Sequence, residues 1–206
     1  MEPFEKYTDQ YEDWFETHKF VYKSELRAIK NQLPKREEGI EIGVGSGRFA
    51  APLGIKFGID PSKKMRQIAQ SRGIEVINGV AENLPFRDNT FTFTLMVTTI
   101  CFLNDIKTAF QEARRVLKPR GCLIIGFIDK TSTIGELYQK HKQENVFYNV
   151  ATFYSVEDVV LLLKQIGFKN FQYIQTIFNN LSEIKDIEPI KKGYGEGSFV
   201  VVKTFK

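Results

Sequence analysis

The stretch EIGVGSGRF, Glu41 to Phe49, places glycines at 43, 45 and 47 directly after a short apolar run. Glycine costs conformational entropy on folding, so such a cluster marks a backbone that turns sharply or lets another group come close. The next apolar run, GIDPS, ends on an acid, Asp60. A carboxylate beyond the carboxyl end of a strand can accept hydrogen bonds from both hydroxyls of a ribose. Dinucleotides and S-adenosylmethionine (SAM) share that diol, and the spacing separates them. A dinucleotide fingerprint wants a small residue where Arg48 stands, and Gly47 comes one place early.

Residues so spaced need alternating strands and helices to hold them. Between 9 and 33, Trp14, Phe15, Phe20, Val21, Leu26 and Ile29 recur at helical spacing, and LPKREEG (33–39) breaks the pattern. Strands are expected at 40–44, 56–60, 74–79, 91–97, 122–128, 170–178 and 198–205. Helices are expected at 61–73, 105–117, 131–144 and 155–167, the last with Ser155 as N-cap. Pro52 limits the helix after the glycine loop to about a turn or two, and PRG (119–121) reads as a turn. The expected fold is α/β: a Rossmann-like, doubly wound, seven-stranded sheet with helices on both faces. It is mostly parallel, with the last strand antiparallel because no helix separates it from its predecessor.

The whole chain sets limits. At 206 residues it reads as one domain, 1–206, with 42% hydrophobic and 26% charged residues, as in ordinary globular proteins. The net charge of +4 is spread among nearly as many acids, with no basic stripe, so nucleic acid is not an expected partner. The N-terminus lacks the apolar core of a secretory signal, and runs such as VVLLL (159–163) are too short for a bilayer. No membrane partner is expected, and the expected location is cytoplasmic. Cys101 and Cys122 show no metal-ligand spacing and read as reduced, buried thiols, so no metal is expected. The oligomeric state is left open.

From about Glu41 to Phe127 the chain resembles class I SAM-dependent methyltransferases of the small-molecule, type 11 branch. Besides the glycine loop, GIDPSKKM, GVAENLPF (79–86), NTFTFTLMVTTICFLND (89–105) and ARRVLKPRGCLIIG (113–126) are similar to that family's segments, in its order. The resemblance implies that Glu41, Gly43, Gly45 and Gly47 line the methionine end of SAM and that Asp60 takes the ribose. It puts Ala81 and Glu82 beside the adenine, and Val97 and Thr98 beneath the sulfonium. YTDQYEDWF looks like the lid helix, with Tyr11 reaching the methionine carboxylate; 1–33 would form the lid and about 129–156 an acceptor-side cap. This sequence departs from the family at Val80, Thr92 and the pair Cys101–Phe102, where an acid, an Asp and two histidines are frequent.

The implied activity moves a methyl group from SAM to a small-molecule acceptor by in-line displacement, leaving S-adenosylhomocysteine. Positioning alone can supply ~7–11 kcal/mol of such a barrier. His18, His141, Tyr11 and Tyr154 are the candidates for a base, and none is singled out. VTTI at the end of the fourth strand lacks the Pro-Pro-aromatic sequence of amino methyltransferases that act on nucleic-acid bases. Phe147, Tyr148, Phe153 and Tyr154 make the cap aromatic, which suits a small, partly apolar or cationic acceptor. A SAM- or S-adenosylhomocysteine-binding protein without turnover is the alternative, and an NAD-dependent oxidoreductase ranks below both. Replacing Asp60 by Ala is expected to abolish binding and leave stability nearly unchanged.

Overall fold

The computed structural model describes residues 2–35 and 38–206. Met1, Arg36 and Glu37 fall outside them, so the break read at 33–39 is seen only at its ends. Short apolar runs bounded by glycine form the first strands: β1 (Gly39–Ile42), β2 (Phe57–Asp60) and β3 (Glu75–Asn78). β4 (Phe91–Val97) and β5 (Leu117–Ile128) are longer and buried along most of their length. β6 (Lys169–Thr176), β7 (Lys191–Lys192) and β8 (Phe199–Phe205) complete a sheet of eight strands in the order β3-β2-β1-β4-β5-β8-β6-β7. β1 to β5 run parallel, and β8 inserts antiparallel between β5 and β6.

The expected architecture stands, with eight strands in place of seven. The addition, β7, is two lysines paired with Ile174 and Gln175 at the sheet edge, too short and too polar to carry a period. PRG is not a turn that precedes β5 but a bulge inside it. Leu117 pairs with Phe91 and Cys122 with Phe93, so the intervening residues are looped out, with Arg120 at φ +68°.

Helices cover both faces. α3 (Lys19–Gln32), α4 (Ala50–Leu53) and α5 (Lys63–Ser71) pack Ala28, Ile29, Ala50 and Ala69 against one, beside Leu95 and Val97. α6 (Ile106–Val116) and α8 (Val156–Ile166) pack Phe110, Ala113, Val159 and Leu163 against the other, beside Ile42 and Met96. The helix expected at 9–33 is divided at His18 into α2 (Thr8–Thr17) and α3, with α1 (Glu2–Lys6) ahead of them. The helix expected at 131–144 ends early, as α7 (Thr133–Lys140) followed by a 3₁₀ turn. Among the described residues no helix is long and apolar enough to cross a membrane.

Ser155 caps α8 as expected. Its hydroxyl accepts from the Asp158 N–H at 3.1 Å while Asp158 accepts from the Ser155 N–H at 3.0 Å. Ser155→Ala should lower the unfolding free energy by about 1 kcal/mol, read as a lower urea midpoint with an unchanged slope.

Candidate active site

A cleft of about 150 Å³ lies at the carboxyl ends of the strands, where the order reverses between β1 and β4. The chain leaves β1 toward α4 on one face and leaves β4 toward α6 on the other, and the gap between these exits is the site.

The glycine loop forms its floor. At Gly43 the backbone is left-handed, φ +71°, and a Cβ would lie 2.3 Å from Cγ2 of Thr99. The Thr99 hydroxyl donates to the Val97 carbonyl at 3.0 Å, so it cannot simply move aside. At Gly45, φ +53°, a Cβ would project toward the Tyr11 hydroxyl, 3.4 Å away. Gly47 does not face the cleft; a Cβ there would collide with Ile74 at 2.4 Å, so it serves the packing of α5.

Asp60 joins the loop to β2. One carboxylate oxygen accepts from the Gly45 N–H at 2.9 Å and the other from the Ser62 N–H at 2.8 Å. An ionised carboxylate has about four acceptor positions, so about two remain for a ligand in the cleft. Burial raises its pKa, and the two N–H donors work against that. Because Asp60 also holds this turn, removing its side chain would strand two backbone donors. The expectation that Asp60→Ala leaves stability nearly unchanged is therefore corrected.

Eight of the ten residues named from sequence line the cleft: Tyr11, Gly43, Gly45, Asp60, Ala81, Glu82, Val97 and Thr98. Glu41 sits behind it, 1% exposed, with Oε2 lacking any partner. Burial pushes its carboxyl well above the ordinary range, an Ala50 N–H opposes this, and Asp60 adds to it. Glu82 reaches across the mouth and accepts from the Asn104 N–H at 2.9 Å. Thr98 holds φ +50°, a costly conformation for a β-branched residue, fixed by its N–H on the Gly126 carbonyl at 2.8 Å. The loop of residues 79–86 is fastened from behind. Arg115 donates to the carbonyls of Phe86 (2.7 Å) and Leu84 (2.9 Å), and Glu112 accepts from the Leu84 N–H at 2.8 Å. That gives the ARRVLKPRG segment a physical role.

A second cavity, about 160 Å³, adjoins the first and shares Phe4, Tyr11, Thr98 and Phe102 with it. All four aromatics read from the cap, Phe147, Tyr148, Phe153 and Tyr154, line it. Trp14 and Phe15 of α2 and Tyr138 of α7 complete an aromatic wall, with Tyr138 and Tyr148 centred 4.4 Å apart. One carboxylate, Glu25 of α3, faces this wall and is 4% exposed. The sequence reading passed over Glu25, although it lies four residues from both Val21 and Ile29 on the buried stripe of α3. It also passed over Phe4, whose ring sits 4.9 Å from Phe102 and 5.2 Å from Phe147 and so separates the two cavities.

Of the candidate bases, His18 stacks on Trp14 at 4.9 Å and His141 pairs with Glu144 at 3.0 Å; neither lines a cavity. Tyr11 and Tyr154 do line the aromatic cavity, and burial pushes both phenols up, so they stay protonated donors. Arg48, which spoils the dinucleotide fingerprint, has a different task. It donates to Glu12 (2.9 Å) and Glu16 (2.9 Å) on α2, and Arg72, the C-cap of α5, grips the same Glu12 carboxylate. Burial raises the Glu12 pKa, but hydrogen bonds from Arg72 and Arg48 outweigh it and hold the carboxyl below the ordinary range.

Fold and cleft together define the class. A methyltransferase-domain family model matches residues 40–125. A crystal structure from Thermotoga maritima, of a SAM-dependent methyltransferase described as a possible histamine N-methyltransferase, is 50% identical and superimposes with a TM-score of 0.97 over 98% of each chain. This chain belongs to the class I SAM-dependent methyltransferases, and SAM is its cofactor. It is also 46% identical to the uncharacterized protein MJ1123 of Methanocaldococcus jannaschii across the full length of both. It is 28% identical to the demethylmenaquinone methyltransferase of Bacillus licheniformis, covering 77% of this chain and 81% of that one.

The depressed pKa of Glu12 gives the clamp a pH sign. Its stabilisation is complete above the ordinary carboxylate pKa, about 4.3, and is lost as pH falls through the lower folded value. Glu12→Gln should cost about 1–3 kcal/mol and speed hydrogen exchange in residues 8–17 at neutral pH. The unaltered protein should approach the same rates only in acid.

Proposed function

We propose that this methyltransferase acts on a small organic molecule held in the aromatic cavity, with a nitrogen as the atom methylated. The observation that carries this reading is the continuity of the two cavities through a neck of Phe4, Tyr11, Thr98 and Phe102. A cofactor bound in the cleft and an acceptor in the cavity would meet there, and nowhere else.

In this reading the two open acceptor positions of Asp60 take the ribose hydroxyls, and Ala81 and Glu82 flank the adenine. Glu41, whose Oε2 lacks a partner, offers that oxygen toward the amino group of the methionine moiety. Gly43 and Gly45 leave room for its backbone atoms, Gly47 supports the loop from behind, and the Tyr11 phenol donates to its carboxylate. Val97 and Thr98 form the floor at the neck. Bound SAM supplies a methyl group on a sulfonium, whose sulfur leaves as a neutral thioether. The residues of α1, α2 and 129–156 exclude water and fix the line of approach, which is where most of the rate arises.

Nitrogen is favoured by the composition of the neck. Among the described residues it presents two phenylalanines, a threonine and a phenol kept protonated, with no histidine or carboxylate to serve as base. An uncharged amine attacks with its own lone pair and afterwards gives its N–H proton to water, so it needs no base in the step. A hydroxyl or carbon acid would need one. The name of the T. maritima relative, possible histamine N-methyltransferase, describes an acceptor of this kind.

Calorimetric titration with S-adenosylhomocysteine tests the cofactor half. Asp60→Asn, which keeps one acceptor oxygen for the turn, should weaken binding at least ~10-fold, about 1.4 kcal/mol; equal affinity would remove Asp60 from the ribose. Incubation with SAM and a panel of small primary and secondary amines, read by mass spectrometry, tests the acceptor half. Methylation of hydroxyl or thiol compounds in preference to amines would overturn the choice of nitrogen.

A further inference from the structure

Glu25 is a carboxylate without a counterpart. It projects from α3 into the aromatic cavity, is 4% exposed, and among the described residues no hydrogen bond or ion pair reaches it. Burying an ionised group without a partner is costly, and natural sequences keep such groups where something else completes them. The surrounding wall indicates what that is. Tyr138 and Tyr148 line the same cavity and feel the charge of the carboxylate, and Trp14 lines it too. Aromatic faces and a carboxylate together select a cation.

The position of Glu25 adds a second constraint. It lines the aromatic cavity and not the cofactor cleft, whereas Tyr11, at the neck, feels Glu41 and Asp60 from the cleft side. A group seated against Glu25 is therefore away from the neck. A protonated nitrogen has no lone pair, and a quaternary one cannot accept a methyl group, so the cation that pairs with Glu25 is not the nucleophile.

We propose that Glu25 anchors a cationic group of the acceptor, and that the acceptor accordingly has two functional ends: a cation among Tyr138, Tyr148 and Glu25, and a separate nucleophile at the neck. The proposal rests on the aromatic cavity being the acceptor site. It assigns the substrate class as a short, doubly functional molecule, with one end permanently charged or protonated and the other carrying an uncharged nucleophilic atom.

Burial also pushes the Glu25 carboxyl up to about 8. Cation entry would ionise it, so below that pH the affinity for a permanent cation should rise roughly tenfold per pH unit and level off above it. The other titratable groups on the cavity wall are Tyr11, Tyr138, Tyr148, Tyr154 and Cys101. Burial pushes all of them up, to about 12 for Tyr138 and Cys101, and they stay uncharged across this range.

Trp14 is the only tryptophan of the chain and lines the cavity, so its fluorescence reports occupancy without turnover. The protein is first saturated with S-adenosylhomocysteine, which is verified by calorimetry. It is then titrated with phenyltrimethylammonium and with tert-butylbenzene, an uncharged molecule of the same shape. The expected result is at least ~10-fold tighter binding of the cation. That preference should fall below about threefold in Glu25→Gln, with S-adenosylhomocysteine affinity unchanged and the pH dependence abolished. Equal binding of the two probes to the unaltered protein, or quenching by neither, overturns the proposal without touching the cofactor reading. Failure to bind S-adenosylhomocysteine would show in the calorimetry alone, and the proposal would fall with the reading beneath it.

Discussion

The carboxylate of Glu12, shared between Arg48 and Arg72, holds the site together. Arg48 belongs to the glycine loop and Arg72 to the end of α5, so one side chain of α2 is tied to both elements that shape the cofactor cleft. That tie seats α2 above the strand ends. It lays Tyr11, Trp14 and Phe15 across the strand ends, and Phe4 follows, packed on Tyr11 at 5.8 Å. Tyr11, Trp14 and Phe15 of α2 thereby form part of the wall of the aromatic cavity. The guanidinium of Arg48 also lies over the Phe15 ring at 5.1 Å, so ionic and aromatic contacts reinforce one another at the same position.

The two cavities follow the same electrostatic logic. Each holds an acid withdrawn from water and, among the described residues, not paired with a protein cation: Glu41 behind the cleft and Glu25 in the aromatic wall. In each case burial raises the carboxyl, so both hold a proton more readily than an exposed acid does. Asp60 is the contrast. It too is buried, but two backbone N–H groups already occupy half of its acceptor capacity, and it doubles as part of the scaffold.

The cofactor half was legible in the sequence because its chemistry is local. Gly43, Gly45 and Asp60 act within one passage from β1 through the short α4 to β2, and the Gly45 N–H meets the Asp60 carboxylate directly. Even there the reasons differed in detail: Gly47 packs against Ile74, and Asp60 is a structural residue as well as a ligand candidate. The acceptor half was legible only as an aromatic tendency in the cap. Glu25, Phe4 and Tyr138 come together through the packing of α1, α3 and α7, and nothing in their sequence separation announces it. Arg48 shows the reverse case. Its side chain was readable only as an obstacle to a dinucleotide, because its partner lies on a helix 36 positions earlier in the chain.

The residues that line the cleft come mostly from strand ends between 43 and 104, fastened by Arg115 to α6, whereas those that line the aromatic cavity come mostly from 4–25 and 138–154. Four residues at the neck are common to both. The cleft is anchored to the strand ends, while α1 and α2, which help to shape the other cavity, are joined to it by the part-buried Glu12 clamp and by aromatic packing. The helices that wall the other cavity reach the cleft through the Glu12 clamp, through Glu5 on the Lys63 N–H and through the aromatic packing at the neck, so the shape of one cavity bears on the other.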